Sequence, residues 1–536
     1  MDLVSVAHPQ SSFACVYALN MIFALLYKFL LLSLGFNLVL LTRYLHYSVS
    51  MRRAFLHIPG PLQSSFLWGE EWELYHSPPG KPYLEWHTMF GKVVKFTGAF
   101  GHKIISITDP LAISFILGDS AYQFPKTHGV RAWFKATLGE GILWVEGKKA
   151  HERQRRVIAP ALNHQSVRRL TDIFFEKSTE LANQWGKMLE IETGSNEVEI
   201  EVTNWTGRFA LDTVGRAAFS YDFGCLSSEP HALLEALDGL TNNEHRQSSF
   251  YMRALFWIFP AILNTGTKGC MIRRVKHELG QIASKMWRES KLVEDKDSQT
   301  LMANIVKYDE TSLEPMDEEQ IVCQMRSIIS AGYETVSAVA AWMLYEIATH
   351  PHFQDELRAE ICAIPDLSFE HLNNLPLLDA AFKETLRLHP VILENHHEAG
   401  ETISLPLSEP LIETGESHLI IPKGTIIVIP LNVLQTDPEI WGKDAHSFRP
   451  SRWMGNEKPS VIRGHELLSF SIGPRSCIGK TFATVEIKVL LALIVTLLRR
   501  FSLRCEKDME SFQSFVIRPR VTGETASSLP LLVSRL

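Results

Sequence analysis

The chain has 536 residues, 46% hydrophobic and 21% charged, with a formal net charge of −7. That balance fits a folded globular protein and excludes the basic footprint of a nucleic-acid binder. Its seven cysteines (Cys15, Cys225, Cys270, Cys323, Cys362, Cys477 and Cys505) are scattered, odd in number and without a CxxC pair. This argues against a disulfide framework or a zinc site and for a reducing compartment, with most of them expected to be small buried hydrophobes.

Residues 13–41 are almost wholly apolar, with Lys28 the only charge. A membrane-crossing helix needs about 20 apolar residues, so one transmembrane anchor is expected over 20–41, after a short segment of 1–19. The start carries no basic charge and no small-residue cleavage site follows, against a signal peptide. Arg43, Arg52 and Arg53 follow the stretch, so the positive-inside rule puts the body on the cytosolic side. Residues 42–61 read as a linker whose Ile58-Pro59-Gly60-Pro61 run is a stiff bend. Residues 62–536 then form the globular body.

The body reads as mainly helical with small β-sheets. A long helix is expected from Asp317, at capping-box spacing from Gln320, to about His350 before Pro351. A second helix covers 376–388 and stops at His389-Pro390. Residues 419–430 read as two strands around a Pro-Lys-Gly turn. Residues 437–453 read as an ordered meandering loop, and a last helix follows Gly479 to about Leu498.

The strongest local signal is Phe470-Ser-Ile-Gly473-Pro-Arg475-Ser-Cys477-Ile-Gly479. Gly473 allows a tight turn, and Gly479 lets the backbone approach a flat ligand. Helix N-terminal amides beyond Cys477 stabilise a thiolate. A thiolate on haem iron favours O–O cleavage.

This segment resembles the haem-binding signature of the cytochrome P450 family, and the resemblance covers most of the chain. It implies a P450-like fold behind the anchor, with 62–536 the haem-thiolate catalytic domain and Cys477 the iron ligand. Arg475 would meet a haem propionate, and Phe470 would pack near the thiolate. Residues 146–156 resemble the family's propionate-binding helix, with His151 and Arg155 one turn apart. His397 stands where the family carries another propionate arginine. Glu384 and Arg387, three apart on a helix, would receive Arg452 in a buried triad. The segment Ala331-Gly332-Tyr333-Glu334-Thr335 leaves two readings of its glycine. One is a locally opened turn over the haem, where Glu334 and Thr335 deliver protons. The other is a helix–helix contact at Gly332. The company of the cysteine loop favours the first.

By the same resemblance the substrate pocket draws on Phe124, Trp133, Phe134, Ile328, Ala331, Val391, Ile392, Leu393 and Phe515. That lining holds no fixed charge near the expected iron and suits a lipophilic substrate. The pattern looks most like fungal microsomal members of secondary metabolism, with a terpenoid as the expected substrate. No G-x-G-x-x-G motif occurs, so electrons are expected from a separate NADPH-cytochrome P450 reductase. The expectation is therefore an O2-dependent monooxygenase on the endoplasmic reticulum membrane. The alternatives are a haem-thiolate isomerase or dehydratase that uses no O2, or a non-catalytic haem-binding membrane protein.

Overall fold

The computed structural model describes residues 27–39, 42, 55–191, 196–227, 231–241, 247–291, 300–311, 315–455, 459–497 and 501–535. The chain divides into two units, Met1–His57 and Ile58–Leu536. In the first, residues 27–39 form an exposed helix. Among the described residues no helix is long and apolar enough to cross a membrane. Residues 20–26, 40 and 41 of the expected anchor lie outside the described residues, as do 1–19 and 43–54.

The second unit starts before the expected end of the linker at 61. Lys95 N donates to Pro59 O at 2.9 Å. A Cβ on Gly60 would stand 1.8 Å from Lys95 O, so only glycine allows this approach. The Pro-Gly-Pro run is thus laid against the strand Val93–Thr97 as part of the body.

The body is mainly helical with small sheets, as expected. Asp317 caps its longest helix by accepting from Gln320 N at 2.7 Å. That helix, Glu318–Thr349, has 32 residues and is about 48 Å long at 1.5 Å per residue. It packs chiefly on Val202–Phe219 and Gly266–Ser290 and is buried over most of its length. Pro351, which has no N–H to continue the ladder, starts a separate helix, Pro351–Cys362. The helix runs unbroken through Ala331–Thr335, so the opened turn expected at Gly332 is absent. A Cβ on Gly332 would stand 2.9 Å from Val214 Cγ2. The glycine is there for the close crossing of two helices.

The expected helices Pro376–Leu388 and Lys480–Leu497 are both present. The two strands of 419–430 form as well, but they serve different sheets. His418–Ile421 alternates exposed and buried positions and pairs with Ile403–Pro406. Ile426–Pro430, a continuous apolar run, is the buried inner strand of a four-stranded sheet. It lies parallel to Lys103–Ile107 and antiparallel to Glu394–Glu398, with Val93–Thr97 at the outer edge. The meander of 437–453 holds only the short turns Pro438–Trp441 and Pro450–Trp453.

Candidate active site

Gly473 has a left-handed φ of 70°, and a Cβ there would stand 2.1 Å from Leu117 O. No other residue fits that turn. The loop then closes on itself through Cys477 N donating to Phe470 O at 2.8 Å. Lys480–Leu497 opens three residues later. Cys477 presents surface to the open side of the loop. Enough protein surrounds the sulfur that burial pushes the thiol above its ordinary value, opposed by the Gly479 amide and by Arg155 and Lys480. The other cysteines depart from expectation. Of the remaining described ones only Cys225 and Cys323 are buried, and Cys270 is exposed.

A cation cluster adjoins the loop. Arg155, on the helix Lys148–Ile158, donates from Nη1 to Ser476 O at 2.8 Å. His151, one turn earlier, shares a 3.1 Å hydrogen bond with Tyr122 Oη. Burial, helped by the charges of Arg475, Lys126 and Arg155, holds its imidazole down at about 4. Burial also holds His397 at about 4, with Nδ1 3.1 Å from Phe124 O. Both rings are therefore neutral near pH 7. Arg475 lies over the Tyr122 ring and pairs with Glu146. Glu146 also takes Lys126 Nζ at 3.1 Å. Arg475 Nε and Nη1 are buried and have no partner among the described residues. Buried donors of a cation need an acceptor, and a haem propionate supplies one. Sulfur, spare guanidinium donors and surrounding cations therefore fit a haem. Lys126, Tyr122 and Glu146 were not singled out from sequence, because an isolated residue in a loop carries no pattern.

Behind the loop the expected triad is complete. Glu384 Oε2 accepts from Arg387 Nε and Oε1 from Arg452 Nε, each at 2.8 Å. Two further donors escaped the sequence reading: Trp453 Nε1 at 2.9 Å and Arg449 N at 2.8 Å. Arg387 also reaches Gln435 O and Ser447 O, pinning the meander to the helix core. A buried carboxylate is tolerable only with such a full set of donors.

Glu334 and Thr335 do different things. Successive helix positions point about 100° apart. Glu334 is buried and takes Arg518 Nη2 at 2.9 Å. Next to it, Tyr333 Oη donates to Asp238 Oδ1 at 2.6 Å. Thr335, on the more open side with Ala331, donates from Oγ1 to Ala331 O at 2.8 Å. The sequence reading missed Arg518, which lies in the strand Ile517–Val521.

A cavity of about 280 Å³ carries Trp133, Phe134, Val391, Ile392, Leu393 and Phe515 on its wall, as expected. Trp133 and Phe515 stack with ring centres 6.0 Å apart. Phe124, Ile328 and Ala331 do not line it. Phe124 is wholly buried, packed on Phe115, and Ile328 and Ala331 belong to the long helix outside this wall. Met252, Phe256 and Trp257 join the wall instead. Arg253, Lys268 and Glu394 also stand on the wall.

Residues 59–522 match the cytochrome P450 family. Among similar proteins is the cytochrome P450 monooxygenase claQ of Ampulloclitocybe clavipes, 32% identical, with 89% of this chain and 92% of the relative aligned. The monooxygenase claP of the same fungus is 31% identical over the same shares. Cytochrome P450 monooxygenase 128 of Postia placenta is 30% identical, again over 89% of this chain and 92% of its own length. The chain belongs to the cytochrome P450 family of haem-thiolate monooxygenases, whose iron is held by a cysteine. Such an enzyme uses O2, an organic substrate and a redox partner.

Proposed function

We propose that the protein inserts one oxygen atom of O2 into a lipophilic small molecule, a terpenoid or other secondary metabolite. Electrons come from NADPH through a separate cytochrome P450 reductase. The enzyme works on the endoplasmic reticulum membrane, held by a single anchor over 20–41, with its body in the cytosol. The observation that carries this reading is the loop of Arg475 and Cys477, met by Arg155 from the helix Lys148–Ile158, with buried Arg475 donors left without a partner among the described residues. The aromatic cavity wall supports a lipophilic substrate. The apolar stretch 13–41 followed by arginines supports the anchor, and the fungal relatives support secondary metabolism.

Bound at Cys477, haem supplies the activation of dioxygen. The chain supplies the rest. The Gly479 amide donates to the sulfur and tempers its charge. Arg475, Arg155 and Lys126 would hold the propionates of a bound haem, and the neutral rings of His151 and His397 would add hydrogen-bonding groups to that cluster. Thr335 Oγ1 holds a proton on the open side of the long helix. Glu334 pairs with Arg518 rather than being aimed at Thr335. The aromatic wall excludes water around the substrate.

The test is the reduced, carbon-monoxide-bound spectrum of the wild type and of Cys477→Ala, together with turnover in the presence of reductase. A thiolate-type Soret band lost in the variant is expected, with product formation that needs both O2 and NADPH. A band retained in Cys477→Ala removes that cysteine as ligand. Product formed without O2 or NADPH favours an isomerase or dehydratase instead.

A further inference from the structure

Four ionisable side chains stand on the wall of the aromatic cavity: Arg253, Lys268, Glu394 and His396. Three of them answer one another. Arg253 Nη2 lies 3.7 Å and His396 Nε2 3.2 Å from the two oxygens of Glu394. Tyr83 Oη donates to the same carboxylate at 3.2 Å. Glu71 adjoins this group in a small side chamber lined also by Arg253, Tyr83 and Glu394. The positive charge of Arg253 is therefore already matched within the chain.

Lys268 is different. It comes from the first turn of Gly266–Ser290 and is half-buried. Among the described residues it has no hydrogen bond or ion pair. Here burial pushes the ammonium below its ordinary value, and no carboxylate counters it. Its ammonium thus stands on the cavity wall with no carboxylate beside it among the described residues, whereas that of Arg253 is matched by Glu394. In ligand sites of this kind a few polar groups on an apolar wall fix the orientation of the ligand.

We propose that the cavity takes an amphiphilic organic acid, its carboxylate paired with Lys268 and its hydrocarbon body against Trp133, Phe134, Phe256 and Phe515. This rests on the reading of the chain as a monooxygenase of lipophilic small molecules.

The holoenzyme is titrated with octanoate, dodecanoate and hexadecanoate and with the methyl ester of each. Binding is read from the Soret shift and, separately, from quenching of tryptophan fluorescence. At one or more lengths the acid is expected to bind about ten-fold tighter than its ester. Lys268→Met weakens the acid by about that factor and leaves the ester alone, while Lys268→Arg keeps the preference. Equal binding of acid and ester by the wild type at every length overturns the proposal, and so does a preference that survives in Lys268→Met. Should Lys268→Met lose its thiolate Soret band, Lys268→Gln replaces it, and the wild-type comparison decides without either. A preference that depends on Lys268 without O2-dependent product leaves this inference standing and removes the monooxygenase reading. O2-dependent turnover with no charge preference does the reverse.

Discussion

Arg518 Nη2 donates to Glu334 at 2.9 Å inside the body, and both side chains are almost wholly excluded from solvent. The pair joins the strand Ile517–Val521 to the long helix one residue before Thr335. Ile517 and Phe515, beside Arg518 in the chain, stand on the cavity wall. The same two charges thus link the substrate wall to the helix that carries Thr335.

Removing one partner of a buried ion pair leaves an uncompensated charge and costs about 3–5 kcal/mol, whereas replacing both with apolar residues is often neutral. Arg518→Met alone is therefore expected to lower the urea midpoint of the holoenzyme strongly. The double variant Arg518→Met, Glu334→Met recovers most of that loss. A double variant no better than the single one would show that the pair is not a coupled unit.

Arg475 points to a second measurement. Two of its nitrogens are buried without a partner among the described residues, and Lys126 and Arg155 lie nearby as further cations. If haem propionates complete this set, Arg475→Met speeds haem loss by about ten-fold or more, since a charge-assisted hydrogen bond contributes about 1.5–3 kcal/mol. Transfer of haem to an excess of apomyoglobin reads the rate. An unchanged rate would take Arg475 out of the haem site.

Glu71 predicts a pH dependence. Its carboxyl is raised from the ordinary value of 4.5 to about 7, by burial first, with Arg253 lowering it and Glu394 raising it. Between those values the folded protein holds a proton that the unfolded chain has released. The contribution of this group is therefore complete below 4.5 and is lost as pH rises through about 7. At about 1.4 kcal/mol per pKa unit the loss is on the order of 3 kcal/mol. Glu71→Gln imitates the protonated acid. It is expected to raise the urea midpoint at about pH 8 and to leave it unchanged near pH 4.5. Equal shifts at both would mean that Glu71 is ionised throughout.

Much of the site was legible along the chain because its signals are local. Asp317 three residues before Gln320, Pro351 after His350, and the spacing from Phe470 to Gly479 each place a residue type where a cap, a stop or a turn requires it. The brace was readable for a related reason. Glu384 and Arg387 share a helix face, and Arg452 is brought to them by a motif of its own. One expectation failed, and one was incomplete, where the answer lay across space. Gly332 was read as a groove, but Val214 on another helix supplies its reason. The strands of 419–430 were legible one by one. Their membership of two sheets depends on which of them is buried on both faces.

The sequence by itself determined the family, the loop around Cys477, the helical character of the body and the members of the brace, since each needs particular residues at set offsets along the chain. Only the tertiary structure decided that Glu334 is held by Arg518, that Lys126 and Glu146 join Arg475, and that Lys268 stands on the cavity wall with no partner among the described residues. Each of those facts depends on residues far apart in sequence. Packing brings them together, and no periodicity or spacing along the chain records where a single charged side chain will end up.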